Sequence, residues 1–315
     1  MKISVVVPTF NNAQILARSL VRLFNQTLPK EDFEIILVND YSTDETSSVV
    51  DKIVSDYKIN NIKIINLPRN SGPSVARNEG IKEAAAPIIV MTQDDMLVQP
   101  DFLEQHLKFH QLHPKNEEAV VGLIEFDKSL KLTPFMKWWE NGHQFKFPKV
   151  SRDVKYLRLK SRPYLNFYPG NLSLKKEFLV EKEGWFDSEF FLDGAIGYED
   201  TELGYRLWKQ GLKLFYAPDI VVSHHHIKTF ASICKLSYYK GKLLHILYRK
   251  QPDFKRIFGQ TLKLLISRIF VGRVSITILE PVAKISEKHF KVGLIYWLVL
   301  RYYFNQGYEN LLKNP

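Results

Sequence analysis

The first hundred residues alternate between two hydrophobic periods, and that alternation constrains the fold of this 315-residue chain more than any other feature. Residues 3–7, 34–39, 62–66 and 88–92 are short runs rich in Val and Ile, the pattern of strands covered on both faces. Between the first two runs, Ile15, Leu16, Leu20, Leu23 and Phe24 mark one face of a helix. Ser42 followed by Glu45 has capping-box spacing and predicts that the next helix opens there. Pro73 and Pro100 each stand where a first helical turn would begin. The alternation predicts an α/β architecture with a mostly parallel, doubly wound sheet. Pro8 stops the first apolar run, so the run reads as a buried strand and not as a signal peptide.

In such sheets, ligands bind beyond the carboxyl ends of the strands. The residues expected at those ends are Pro8, Thr9, Phe10 and Asn11 after the first run, Asn39, Asp40, Tyr41 and Ser42 after the second, and Gln93, Asp94 and Asp95 after the fourth. Adjacent carboxylates repel each other unless a cation sits between them. A hard divalent ion bridging Asp94 or Asp95 to a diphosphate would account for the pair, and a solvated turn is the plain alternative. The position after a buried strand, beside Asp40, favours the ion.

Other nucleotide and metal signatures are missing. No Gly-x-Gly-x-x-Gly follows the first strand, and no P-loop motif or His-Glu-x-x-His motif occurs. His106 and His110 are four apart on a predicted helix, with Leu107 where a general base would stand, and read as a solvated or half-buried helix face. Further on, Glu199, Glu202 and Arg206 share one helix face, with Asp200 at its start and Gly211 at its end. Asp200 is either a positioned base or a helix cap. His224, His225 and His226 follow a strand-like run, and a neutral imidazole there could complete a metal site begun by Asp94. Trp138, Trp139 and Trp185 read as core residues, with stacking on an acceptor sugar as the lesser reading.

Taken in order, these segments resemble the family-2 inverting glycosyltransferases of GT-A fold. VVVPTFN (residues 5–11) is similar to the first strand and turn of that family, and EIILVNDYSTDE (34–45) to its DDGSTD segment. NSGPSVARNEG (70–80) resembles the stretch carrying an Arg-Asn pair, here Arg77 and Asn78, and TQDDMLVQP (92–100) the metal-binding Asp-x-Asp region. GNLS (170–173), GWFD (184–187) and YEDTELGYRL (198–207) resemble the acceptor half with its Glu-Asp motif. Two departures stand out: Thr92 replaces the first acid of the family's DxDD run, and Asn39-Asp40-Tyr41 stands where the family has Asp-Asp-Gly. The Thr-Gln-Asp-Asp form is similar to bacterial rhamnosyltransferase-type members.

The resemblance implies a Rossmann-like, mixed nucleotide-binding sheet flanked by helices. Residues 1–226 would be the catalytic domain, with residues 1–97 its nucleotide-sugar half and 98–226 its acceptor half. It implies that Pro8, Thr9, Asn11, Asp40, Arg77 and Asp94 hold a nucleoside diphosphate–sugar. It further implies that Asp94, Asp95 and His224 hold Mg²⁺ or Mn²⁺. Asp200, beside Glu199, would deprotonate an acceptor hydroxyl that attacks the anomeric carbon with inversion. The activity implied is transfer of a hexosyl or deoxyhexosyl group to a glycan or lipid-linked acceptor in cell-surface polysaccharide assembly. The alternatives are a catalytically silent nucleotide- or glycan-binding protein of the same fold and a sugar-nucleotide pyrophosphorylase.

The charge is distributed unevenly. The net +10 arises wholly from residues 227–315, which hold 16 Lys+Arg against four acids, while residues 1–226 hold 28 against 30. The basic residues of this tail interleave with apolar ones, as in 238–244, 263–266 and 268–270, so a basic, mostly α-helical C-terminal extension is expected. The apolar run 292–300 lies between Lys291 and Arg301 and is too short to span a bilayer. The tail reads either as amphipathic helices on an anionic membrane surface or as an extension packed on the catalytic domain. Nucleic acid is not expected as a partner, since no such fold signature accompanies the charge. A single cysteine, Cys234, allows no intrachain disulfide and fits a cytoplasmic protein, peripheral on the inner face of the cell membrane.

Overall fold

The computed structural model describes residues 1–140, 147, 154–258 and 273–313. They divide into two compact units: residues 1–128, 147–188 and 199–226 form the first, and residues 129–146, 189–198 and 227–315, where described, form the second. The tail stretches 263–266 and 268–270 lie outside the described residues.

The strands of the first unit are β1 (Ile3–Thr9), β2 (Phe33–Asn39), β3 (Ile62–Asn66), β4 (Ile88–Met91), β5 (Met96–Val98), β6 (Glu118–Phe126), β7 (Leu157–Arg158), β8 (Leu172–Lys175) and β11 (Lys213–His224). β9 (Phe191–Leu192) and β10 (Ala195–Ile196) form a hairpin in the second unit. The main sheet runs β3-β2-β1-β4-β8-β6-β11-β5, with β7 pairing to β11. Its β3-β2-β1-β4 half is parallel throughout, as the sequence predicts. Its other half is mixed, because β8 runs antiparallel to both β4 and β6. Strand order reverses about β1, which has β2 on one side and β4 on the other. That reversal opens a crevice at the carboxyl ends of β1 and β4.

Helices α1 (Ala13–Phe24), α2 (Thr46–Asp56), α3 (Pro73–Glu83), α4 (Phe102–Leu112), α6 (Lys176–Glu181) and α7 (Glu199–Lys209) complete this unit, and α5 (Pro134–Glu140) belongs to the second. α1 forms where expected and buries Ile15, Leu16, Leu20, Leu23 and Phe24. α2 starts later than Ser42 and Glu45 suggest. Asp44 accepts from the backbone N–H and hydroxyl of Thr46, while the Ser42 hydroxyl accepts the backbone N–H of Asn11 and ties β1 to this loop. Gly211, at φ +105°, lies just past the end of α7.

The reading of His106 and His110 as a solvated or half-buried face is overturned. Both are buried, because β8 and the residue before it present polar partners. His106 Nδ1 and His110 Nε2 lie 2.8 and 2.9 Å from the Ser173 hydroxyl, and His106 Nε2 lies 3.2 Å from Asn171 Oδ1.

The second unit has its own core, in which Phe135, Trp138, Phe230, Ile233, Tyr296 and Val299 pack together. Its long helices are α8 (Phe230–Lys250), α10 (Arg273–His289) and α11 (Gly293–Lys313), with the short α9 (Asp253–Phe258) after α8. Thr229 and Ser232 cap α8 reciprocally. Gly241 on α8 and Gly307 on α11 let these helices touch backbone to backbone: a Cβ on either would overlap the carbonyl of Phe304 or Tyr238. Trp138 is a core residue, and Trp139 and Trp185 are half-buried against the cores of the second and first units respectively.

Candidate active site

The crevice collects side chains from four strand ends. Pro8 and Thr9 finish β1, with Pro8 inside the ladder opposite Val38. The Thr9 hydroxyl donates to Asp94 Oδ2 at 2.7 Å, and Asp94 also accepts from the Asn12 side chain and the Phe10 backbone N–H. Burial and the neighbouring Asp95 push the Asp94 carboxyl up to about 7. At the end of β2, Asp40 accepts the backbone N–H groups of Ser71 and Gly72, each at 2.7 Å, and so fastens the start of α3 to the sheet. Burial raises its carboxyl, and these two bonds offset part of the rise. Asn11, in the left-handed region at φ 49°, accepts the backbone N–H of Thr43 at 2.7 Å and pins the β2–α2 loop.

Sequence reasoning placed Phe10 and Tyr41 after β1 and β2 but gave their rings no role. They are 45% and 54% exposed, which is high for aromatics beside a buried carboxylate. Tyr41 is also held at φ 65°, a conformation that favours glycine.

Asp95 stands with two of the three histidines, of which the sequence reading gave only His224 to the metal. Its Oδ2 lies 3.0 Å from His224 Nε2 and 3.1 Å from His226 Nδ1. Ligand-type atoms of Asp95, His224 and His226 all fall within 4.8 Å of one another. Burial alone would raise the Asp95 carboxyl, but the two imidazoles hold it well below the usual carboxylate range. Its Oδ1 is buried and has no hydrogen-bond partner among the described residues. His225 points elsewhere, to Asp127 Oδ2 at 2.6 Å and the Arg18 guanidinium at 3.3 Å. In an extended segment alternate side chains share a side, so His224 and His226 go together and His225 does not. That alternation was the signal available for His226. Asp94 lies outside the cluster of three, bonded to Thr9.

A third group joins α3, α7 and the segment before α7. The Arg77 guanidinium is buried over the Phe186 ring, 5.3 Å from its centroid, and its Nη1 lies 3.5 Å from Glu199. Burial pulls the guanidinium pKa down, and Glu199 and Asp200 oppose this. Asn78 exchanges hydrogen bonds with the backbone of Phe186, at 2.8 and 2.9 Å, which fixes the segment under the arginine. On α7 the carboxylates separate by partner. Glu199 faces Arg77, and buried Glu202 faces Arg206 at 2.8 Å. Asp200 is half-buried at the helix N-terminus and accepts the Thr201 backbone N–H at 2.6 Å.

A buried, anionic carboxylate with one orphaned oxygen and two imidazoles within reach fits a divalent metal ion.

Comparison with known proteins gives a consistent class. The profile of the family described as "Glycosyl transferase family 2" matches residues 4–164. The chain is 27% identical over 263 residues to a dolichyl N-acetyl-alpha-D-glucosaminyl phosphate 3-beta-D-2,3-diacetamido-2,3-dideoxy-beta-D-glucuronosyltransferase of Methanococcus voltae, covering 79% of this chain and 74% of that one. It is 29% identical over 233 residues to the validoxylamine A glucosyltransferase of Streptomyces hygroscopicus subsp. jinggangensis (strain 5008). That match covers 67% of this chain and 52% of the relative, so the chain spans about half the length of that protein. In fold it is similar to the mannosyltransferase PcManGT of Pyrobaculum calidifontis, solved with GDP-Man and Mn²⁺, at a TM-score of 0.62 and 18% identity, covering 100% of this chain and 88% of that one.

Proposed function

The chain belongs to glycosyl transferase family 2 and has the GT-A fold. From that premise we propose that it moves a sugar from a nucleoside diphosphate–sugar to an acceptor hydroxyl, with inversion, in the assembly of a cell-surface glycan. The observation that carries this finer reading is the Asp95–His224–His226 cluster at the switch-point edge of the sheet. It is a preformed site for the cation that a diphosphate leaving group calls for.

In this reading, Thr9, Asn11 and Asp40 line the nucleotide site, and the exposed rings of Phe10 and Tyr41 offer faces for stacking on a base. Asp95, His224 and His226 would hold the divalent ion, with Asp94 beside them. When bound, such an ion offsets the negative charge that accumulates on the departing diphosphate. Arg77, kept charged by Glu199, adds a fixed positive group near the α7 N-terminus. Asp200 takes the proton of the acceptor hydroxyl as its oxygen bonds to the anomeric carbon. The bond from that carbon to the diphosphate breaks on the opposite face, and the nucleoside diphosphate leaves with the electron pair. One positioned base suffices for this single displacement; retention through a covalent intermediate would need a nucleophile as well. We assign catalysis to residues 1–226, with a glycan or lipid-linked molecule as acceptor.

Asp200→Asn tests the assignment. The expected outcome is loss of transfer by at least about 10³-fold with donor affinity, read by calorimetry, nearly unchanged. Normal turnover by this variant would remove Asp200 as the base.

A further inference from the structure

Helix α10 carries an apolar stripe that the described residues of its own unit leave exposed. Ile278, Val282 and Ile285 are 66%, 36% and 64% exposed, and they fall within about 60° of one another round a helix of 3.6 residues per turn. The exposed run continues through Phe290 in the following turn to Leu294 and Trp297 at the start of α11. Other faces of the same helices are used in full: Ile276, Ala283, Tyr296 and Val299 are buried in the core of the second unit. An outward face this rich in large apolar side chains is an interaction surface, since a monomer rarely leaves such residues clustered in water.

Lys288 and Lys291, beside the stripe, make no ion pair among the described residues, while Lys284 pairs with Glu280. Lys284, Lys288 and Lys291 are exposed, whereas the acids of α10 are turned to partners. Glu280 accepts from the Tyr303 hydroxyl at 2.8 Å and from Lys284 at 2.7 Å, and Glu287 accepts the backbone N–H of Phe230 at 2.8 Å. No described helix is long and apolar enough to cross a membrane. The combination of an amphipathic stripe, a lysine border and neutralised acids matches a helix that lies in the plane of an interface.

We propose that this face docks on a bilayer containing anionic glycerophospholipids. The apolar side chains of α10 and α11 enter the boundary between headgroups and acyl chains, and Lys288 and Lys291 meet lipid phosphates. A second copy of the chain is a poorer occupant, because a two-fold contact through this face would set lysines against lysines.

Flotation of the full chain with vesicles tests the proposal without any turnover, so it stands or falls apart from the glycosyl-transfer reading. The chain should float with phosphatidylcholine vesicles containing phosphatidylglycerol and remain below with phosphatidylcholine alone. Replacing Lys288 and Lys291 by Gln should weaken binding by about 25-fold, roughly fivefold per lysine. The pair Ile285→Ser and Leu294→Ser, both at exposed positions, should abolish flotation with the far-ultraviolet circular dichroism unchanged. No flotation with anionic vesicles, or equal flotation by all variants, would overturn the proposal. So would a dimer seen by light scattering that Ile285→Ser disperses while vesicles are ignored.

Discussion

Two histidine pairs in the first unit resemble each other in sequence and differ in every physical respect. His106 and His110 are a turn apart on α4, and His224 and His226 are alternate residues at and beyond the end of β11. Of the helical pair's four ring nitrogens, two meet the Ser173 hydroxyl and one meets Asn171, both neutral partners. Burial holds His106 down at about 3 and His110 well below its usual value, and Lys175 Nζ, 3.3 Å from His110 Nδ1, opposes a second positive charge. The strand-end pair faces a buried carboxylate with an oxygen to spare, and the His226 side chain is 44% exposed. Spacing therefore does not make a ligand. What separates the pairs is the partner: a neutral hydroxyl and amide lock imidazoles into a core, while an anion with unused lone pairs leaves them ready for a cation.

The largest expected effect that sharpens this contrast is at Asp95. Asp95→Ala should lower transfer per folded molecule by about 10³-fold, the several kcal/mol a metal supplies at a departing diphosphate. If transfer stayed within tenfold of wild type, the strand-end pair would be structural like the other.

His106→Ala breaks the helical side of the comparison. It leaves Asn171 and Ser173 short of a partner, and the expected cost is about 1–3 kcal/mol in a denaturant melt. Transfer per folded molecule should stay within about twofold. A lost activity with unchanged stability would reverse the roles assigned to the pairs.

The smallest effect is one of pH. Above about pH 6.5, His106 is neutral in both the folded and the unfolded chain and contributes no pH dependence. As the pH falls from there towards the folded value of about 3, the unfolded chain gains a proton that the folded chain refuses, so stability declines. Denaturant midpoints measured across that window should fall for wild type and fall less steeply for His106→Gln. Equal slopes would mean that His106 is charged in the folded protein.

Much of this was legible in the chain. The Val- and Ile-rich runs formed β1 to β4, and the polar residues after them met at one sheet edge because strand order reverses about β1, as α/β winding requires. Information from distant residues was not legible. His106 and His110 read as a solvated or half-buried face because nothing local reveals that Ser173, more than 60 residues on, supplies their partner. Ser42 and Glu45 have capping-box spacing, yet Asn11 claims the Ser42 hydroxyl and Asp44 takes over the start of α2. Residues 129–140 and 189–198 belong to the second unit although the chain on both sides of each is in the first, an exchange that no composition shift marks. His226 could have been paired with His224 from alternation alone, once the segment was read as extended.

Whether Asp95, His224 and His226 hold a divalent ion is decided by Mn²⁺ binding followed by electron paramagnetic resonance. With UDP or GDP present, wild type should bind Mn²⁺. His224→Ala and His226→Ala should each weaken binding by at least about tenfold, and His106→Ala should leave it unchanged. Equal Mn²⁺ affinity in wild type and both strand-end variants would contradict the account.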